Sequence, residues 1–104
     1  MAFEVAVGEL TEQRALVQLS GEMDSHTAGA FAEAMSELTA RPGVDVTIDA
    51  SKLSFVDSSA ITELLKAQRA VSAGGGMFRM IGVGSAVRRV IEITGLLDEL
   101  NVGS

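Results

Sequence analysis

The chain predicts a single α/β domain built on a mixed sheet of four to five strands. The element order is β-β-α-β-α-β-α, with a short element at the C-terminal end. Three observations carry this. The apolar period alternates between two and 3.6 along the chain, and the breaks between periods fall at glycine or proline. The first two strands are joined by a short connection, so they pair antiparallel. Every later strand is separated from the next by a helix, which implies parallel pairing through right-handed crossovers. No repeat, linker or low-complexity stretch interrupts residues 1–104, so the chain reads as one domain. A chain of this length buries roughly 60–70% of its unfolded surface without disulfide or metal staples.

Phe3, Val5 and Val7 alternate with Glu4 and Ala6, as in a half-buried strand, and a connection from Gly8-Glu9 to about Arg14 follows. Residues 15–20 form the second strand, with Leu16, Val17 and Leu19 as its apolar content. Gly21-Glu22-Met23-Asp24-Ser25-His26-Thr27 then breaks the pattern. Ala28, Phe31, Ala32, Met35 and Leu38 fall on one helical face with Glu33 and Glu37 outside, and Asp24, Ser25 and Thr27 are candidate caps. Arg41-Pro42-Gly43 ends that helix, because proline cannot continue it. Val44, Val46 and Ile48 alternate with Asp45, Thr47 and Asp49 in a third strand. Past Phe55 and Val56, the chain turns at Asp57-Ser58-Ser59 into a second helix. This helix carries Ile61, Leu64, Leu65 and Val71, with Ala67 and Ala70 as spacers. It ends at Ala73-Gly74-Gly75-Gly76, where glycine adopts the left-handed conformation without steric cost. Residues 77–83 form a fourth strand. Ser85 caps a third helix with Val87, Val90, Ile91 and Thr94 on its buried stripe, Gly95 stops it, and Leu96, Leu97 and Leu100 close over the core.

Composition excludes several functions. The net charge is −6, and the aromatics are four Phe with no Trp or Tyr, so neither a phosphate-binding surface nor base stacking supports nucleic-acid recognition. An acidic domain suits a partner with a basic face. There is no Cys, which removes disulfides and thiolate–metal sites, and one histidine cannot make a zinc site. Asp45, Asp49 and Asp57 are too few and too irregular for a calcium loop. No segment reaches the apolar length of a membrane span, and Met1-Ala2-Phe3-Glu4 lacks the start of a secretion signal, so the expected location is the cytoplasm. Met23, Met35, Met77 and Met80 read as core filler.

Catalysis finds little support. Asp24, His26, Asp57, Ser58 and Ser59 include the residue types of a hydrolase triad, but Gly-x-Ser-x-Gly is absent. Gly74-Gly75-Gly76 follows a helix and precedes a strand, the reverse of a phosphate loop. Gly82-Val83-Gly84 has the right order but lacks a third glycine, and Gly-Lys-Ser/Thr occurs nowhere. The domain therefore reads as a non-enzyme with no cofactor or metal of its own. Arg88 and Arg89 near the head of the third helix oppose its dipole and read as solvated cations. Ser58 and Ser59 remain, at a helix start where unpaired N–H groups and the positive dipole end accept negative charge. Such a serine can be a cap, a nucleophile or a phosphate acceptor, and on physical grounds alone capping is the default.

A resemblance bears on that choice. Phe55-Val56-Asp57-Ser58-Ser59-Ala60, with Gly21-Glu22-Met23-Asp24-Ser25-His26-Thr27-Ala28 before it and Gly74-Gly75 and Ala86-Val87-Arg88-Arg89 after it, resembles the bacterial anti-sigma factor antagonists of the STAS-domain family. The likeness runs in order over nearly the whole chain. It implies a STAS-type fold and a domain that binds an anti-sigma factor, itself a serine kinase of the histidine-kinase-like ATPase fold, so that the sigma factor is freed. It implies phosphorylation of the serine directly after the aspartate, here Ser58, with release of the partner, and a phosphatase that resets the switch. It implies a partner surface formed by Asp24, Ser25, His26, Thr27, Asp57, Ser58, Ser59 and Ala60. ATP belongs to the partner in this scheme.

One position departs from the family pattern, which commonly has glycine after the two serines. Ala60 adds a Cβ that favours the helix by up to about 1 kcal/mol and narrows the approach to the backbone. The alternative is a STAS interaction module that is not phosphorylated and serves a larger signalling or transport-associated assembly.

Overall fold

A computed structural model describes residues 3–103, without the side chains of Glu9 and Leu10; Met1 and Ala2 lie outside the described residues. The elements are β1 (Glu4–Thr11), β2 (Arg14–Met23), α1 (Ala28–Thr39), β3 (Asp45–Val56), α2 (Ser58–Ala73), β4 (Phe78–Ile81) and α3 (Ser85–Ile93). They form one four-stranded sheet in the order β1-β2-β3-β4. β1 and β2 are antiparallel, and β2–β3 and β3–β4 are parallel, as the connection lengths predict. The anticipated C-terminal element is a turn. Buried Leu100 anchors it, and Val102 makes a single parallel bridge to Met80 beside β4.

One face of the sheet carries the core. Ala15, Val17, Leu19 and Met23 alternate inward from β2, and Val46, Ile48 and Ala50 from β3, all at most 2% exposed. Phe31, Met35 and Leu38 of α1, Ile61, Leu64 and Val71 of α2, and Val87 and Ile91 of α3 close over them. The helices are held by these stripes, each spaced to return every three to four residues. The opposite face, with Leu16, Gln18, Thr47, Asp49, Arg79 and Ile81, is exposed or half-buried. Met77 is a correction to the reading of the methionines as core: it is 67% exposed, whereas Met23, Met35 and Met80 are buried. Ala70 also lies on the exposed side of α2.

Several strand limits differ from expectation. β1 continues through Gly8-Glu9 to Thr11, where a two-residue turn at Glu12-Gln13 closes the hairpin. β2 does not stop before Gly21. That residue takes φ 89°, the register shifts beside it, and the strand resumes so that Met23 reaches the core. β3 is longer still, running past Asp49 to Val56. Between Gln18 and Ser20 the β3 partner advances by three residues, from Asp49 to Lys52; between Gly21 and Glu22 it advances by two, from Leu53 to Phe55. Each shift inserts an extra β3 residue, a bulge that breaks the two-residue alternation. β4 is shorter, ending at Ile81.

Tight packing is clearest where α2 returns to the sheet. Gly75 takes φ 89° just beyond the helix. A Cβ on Gly76 would collide with the backbone carbonyl of Val44, so only glycine fits there. The caps also differ from expectation. Gly84, not Ser85, precedes α3, and Ser85 is its exposed first residue. Thr94 is exposed beyond the helix end, with its hydroxyl bonded to the Ile91 carbonyl at 2.6 Å.

Candidate functional site

β2 and β3 run in parallel, so their C-terminal ends deliver two loops to the same edge of the sheet. The Asp57 N–H donates to the Met23 carbonyl at 3.3 Å and ties the two ends together. From this junction each chain enters a helix whose N-terminus points to that edge, an arrangement suited to negative charge.

On the β3–α2 side the cap is Asp57. Its backbone is extended and its Oδ1 accepts the Ala60 N–H at 3.0 Å, the usual N-cap to third-residue bond. Ser58 is therefore the first helical residue and is released from capping. It is exposed, and no described residue bonds its hydroxyl. Its carbonyl accepts the Thr62 hydroxyl at 2.9 Å, which fixes the turn beneath it. Ser59 is half-buried. Ala60 is fully buried. Two helical residues are about 200° apart, so the Ala60 methyl points into the core while the Ser58 hydroxyl faces out. Any contribution of Ala60 to a partner surface would have to come from its backbone.

The β2–α1 loop is built around Asp24. Its Oδ1 accepts the N–H of His26 at 2.9 Å, the N–H of Thr27 at 3.2 Å and the Thr27 hydroxyl at 3.2 Å. The Thr27 oxygen in turn accepts the Asp24 N–H at 2.9 Å and lies 3.0 Å from the Glu22 carbonyl. Of the three candidate caps, Thr27 occupies the position before α1, without a side-chain cap bond; Asp24 organises the turn and Ser25 is exposed. The His26 N–H, first, and the Thr27 donors hold the Asp24 carboxyl below its ordinary range, so it stays charged. The His26 ring is 91% exposed, with Nδ1 4.0 Å from Asp24 Oδ1.

Between the first turns of α1 and α2 lies an open cleft of about 360 Å³. Ser25, Ala28 and Gly29 line one wall, and Ser59, Thr62 and Glu63 the other. The structure thus gathers Asp24, Ser25, Thr27, Asp57, Ser58 and Ser59 at one edge, leaves His26 in solvent and turns Ala60 inward. Beside them Phe55 is 47% exposed and pairs with Glu22 just before the Asp57 cap, an exposure the sequence pattern does not predict. Its only signal is the bulged register, which no apolar period reveals. Among the described residues no group of three or more His, Asp or Glu side chains could hold a metal ion. No helix of the described residues is long and apolar enough to cross a membrane.

A family model described as Mlab, STAS domain matches residues 8–101. An anti-sigma-B factor antagonist of Listeria monocytogenes is 24% identical over 102 residues, covering 98% of this chain and 90% of that protein. The crystal structure of an anti-sigma factor antagonist from Mycobacterium paratuberculosis aligns with a TM-score of 0.84 at 26% identity, over 97% of this chain and 85% of that one. The antagonist SpoIIAA in its unphosphorylated form aligns at a TM-score of 0.82 and 24% identity, over 99% of this chain and 89% of that one. The phosphorylated form of the Bacillus protein aligns at 0.74 and 23%, over 99% and 92%.

Proposed function

The chain belongs to the STAS-domain family, and from that premise we propose that it is an anti-sigma factor antagonist whose binding is switched by phosphorylation of Ser58. In this reading it binds, in the cytoplasm, an anti-sigma factor that is also a serine kinase of the histidine-kinase-like ATPase fold, and so frees the sigma factor. The kinase brings ATP, phosphorylates Ser58 and lets go; a phosphatase restores the hydroxyl. Asp24, Ser25, His26, Thr27, Asp57 and Ser59 surround the contact.

The observation that carries this reading is the outward, unengaged Ser58 hydroxyl at the first position of α2, with capping already supplied by Asp57. A phosphate there adds about −1.5 to −2 charges and three acceptor oxygens. It meets the favourable end of the α2 dipole, so the monomer tolerates it. Buried against a partner, the same dianion must shed water beside the carboxylates of Asp24 and Asp57, which repel it. Each ~1.4 kcal/mol of that penalty weakens binding tenfold, so a few kcal/mol releases the partner. The switch is local electrostatics rather than refolding.

The second reading, a STAS module of a larger signalling or transport-associated assembly that binds without being phosphorylated, starts from Ala60 in place of the family's glycine. The Ala60 methyl faces the core, away from the Ser58 hydroxyl, which lessens that objection to phosphorylation. Incubation with the cognate kinase and ATP, followed by intact-mass analysis, tests the choice. One added phosphate, abolished in Ser58→Ala, supports the phosphoswitch. No addition with a competent kinase, together with partner binding unaffected by Ser58→Asp, supports the second reading.

A further inference from the structure

The sheet has two edges, and the described residues close only one of them. β4 is four residues long, and residues 101–103 run along its outer side. The Met80 N–H donates to the Asn101 carbonyl at 3.1 Å and the Gly103 N–H to the Met80 carbonyl at 2.9 Å. The Asn101 side-chain amide donates to the Phe78 carbonyl at 3.3 Å. β1, at the other edge, is twice as long and pairs only with β2. Among the described residues no backbone–backbone bond reaches β1 from outside that ladder. Residues 4–8 are paired without a register break and include neither proline nor lysine, which commonly guard such an edge. An unguarded row of N–H and C=O groups is a template for another strand.

The side chains point the same way. Val7 stands opposite Val17, which is fully buried, yet Val7 itself is 43% exposed. A hollow of about 210 Å³ opens beside it, lined by Ala34, Glu37, Leu38 and Arg41. The core row thus runs to the edge of the sheet and ends with an apolar face uncovered. We propose that β1 pairs with β1 of a second copy of this chain, antiparallel about a two-fold axis at Ala6, to make one eight-stranded sheet. The choice of a second copy rests on self-complementarity. This register sets Val5 of each copy opposite Val7 of the other, a β-branched cross-strand pair made twice. Glu4 falls opposite Gly8, so no two carboxylates of residues 4–8 face each other. Ala6 meets its own symmetry mate, and one patch serves both copies. The pairing uses no residue of the Ser58 edge and does not depend on the function proposed above. Each copy carries a net charge of −6, so the contact is weak and strengthens as salt screens the repulsion.

Sedimentation equilibrium of the full chain, over about 10 µM to 1 mM, tests this pairing in the range of weak association. The proposal expects a monomer–dimer equilibrium within that range, tighter in about 0.5 M salt than in about 0.05 M. A mixture of isotope-labelled and unlabelled chain should show intermolecular contacts between Val5 and Val7 methyl groups. Ala6→Lys sets two like charges opposite each other at the axis and should weaken the dimer about tenfold or more. Gln18→Lys lies on β2 directly across from Ala6 and makes the same change of charge away from the edge, so it should not weaken the dimer. Both positions are exposed, so the variants should fold, and thermal midpoints at the lowest concentration check this. A chain that stays monomeric to the top of the range would overturn the proposal. So would a dimer that Ala6→Lys leaves as tight as native, or one that weakens as salt is raised. Equal disruption by Gln18→Lys would overturn it too, as the sign of contact through the open face of the sheet.

Discussion

Replacing Asp57 by alanine, alongside Ser58→Ala, decides which residue caps α2 and so whether Ser58 is free. The Asp57 Oδ1 accepts the Ala60 N–H at 3.0 Å, and Ala60 is fully buried, so the freed N–H would have little access to solvent. Loss of an N-cap costs about 0.5–2 kcal/mol, typically ~1. The poor access to water puts Asp57→Ala in the upper half of that range. For a domain of this size 1 kcal/mol corresponds to roughly 4–8 °C in Tm, so Asp57→Ala should melt several degrees below the native chain. Ser58→Ala removes an exposed hydroxyl that no described residue bonds, and it should stay within about 0.5 kcal/mol of native. Urea unfolding followed by far-UV circular dichroism gives both numbers, as shifts in midpoint at constant slope. If Ser58→Ala costs as much as Asp57→Ala, the hydroxyl is a structural cap and the reasoning fails.

The Asp24 carboxyl lies below its ordinary value of 3.8, chiefly because the His26 N–H donates to it. Its contribution to stability is therefore complete above pH 3.8 and fades as the pH falls through the lower folded value. Asp24→Asn keeps an acceptor but loses the charge, so the stability gap between native and variant should narrow below pH 3.8 and be level above it; urea midpoints across pH 2–6 check this. Gly76→Ala sets a Cβ against the Val44 carbonyl, a backbone clash with no side chain to yield, and should cost several kcal/mol or prevent folding, read by the thermal midpoint. Met80→Ala should cost about 2–5 kcal/mol as a buried truncation, whereas Met77→Ala, at an exposed position, should fall within about 0.5 kcal/mol of native by urea unfolding.

The parts of the fold legible in the sequence are those with an uninterrupted period. The spacing of Ala28, Phe31, Met35 and Leu38 marked α1, and that of Ile61, Leu64 and Val71 marked α2, because their buried stripes meet no irregularity. The last three residues of β2 and the second half of β3 were hidden for the converse reason. Gly21 at φ 89° and the two register shifts let the strands run on while the alternation slipped, so Met23 read as loop and Phe55 gave no sign of being exposed. The site loops were legible as residue types but not as roles. Asp57 and Ser58 are both good caps, and only the geometry, with the carboxylate on the Ala60 N–H, separates them. At α3 the same ambiguity fell the other way, with Gly84 taking the place expected of Ser85.

The most direct test is calorimetric titration of the kinase partner with the chain in two forms, Ser58 unmodified and Ser58 stoichiometrically phosphorylated. An amide spectrum of the phosphorylated chain establishes that it is folded. The account predicts tight binding by the first form and binding at least about a hundredfold weaker, or none, by the second, the equivalent of ~3 kcal/mol or more. The amide shifts should change only around the head of α2 and the Asp24 loop. Equal affinity of the two forms, with the phosphate in place, would contradict it.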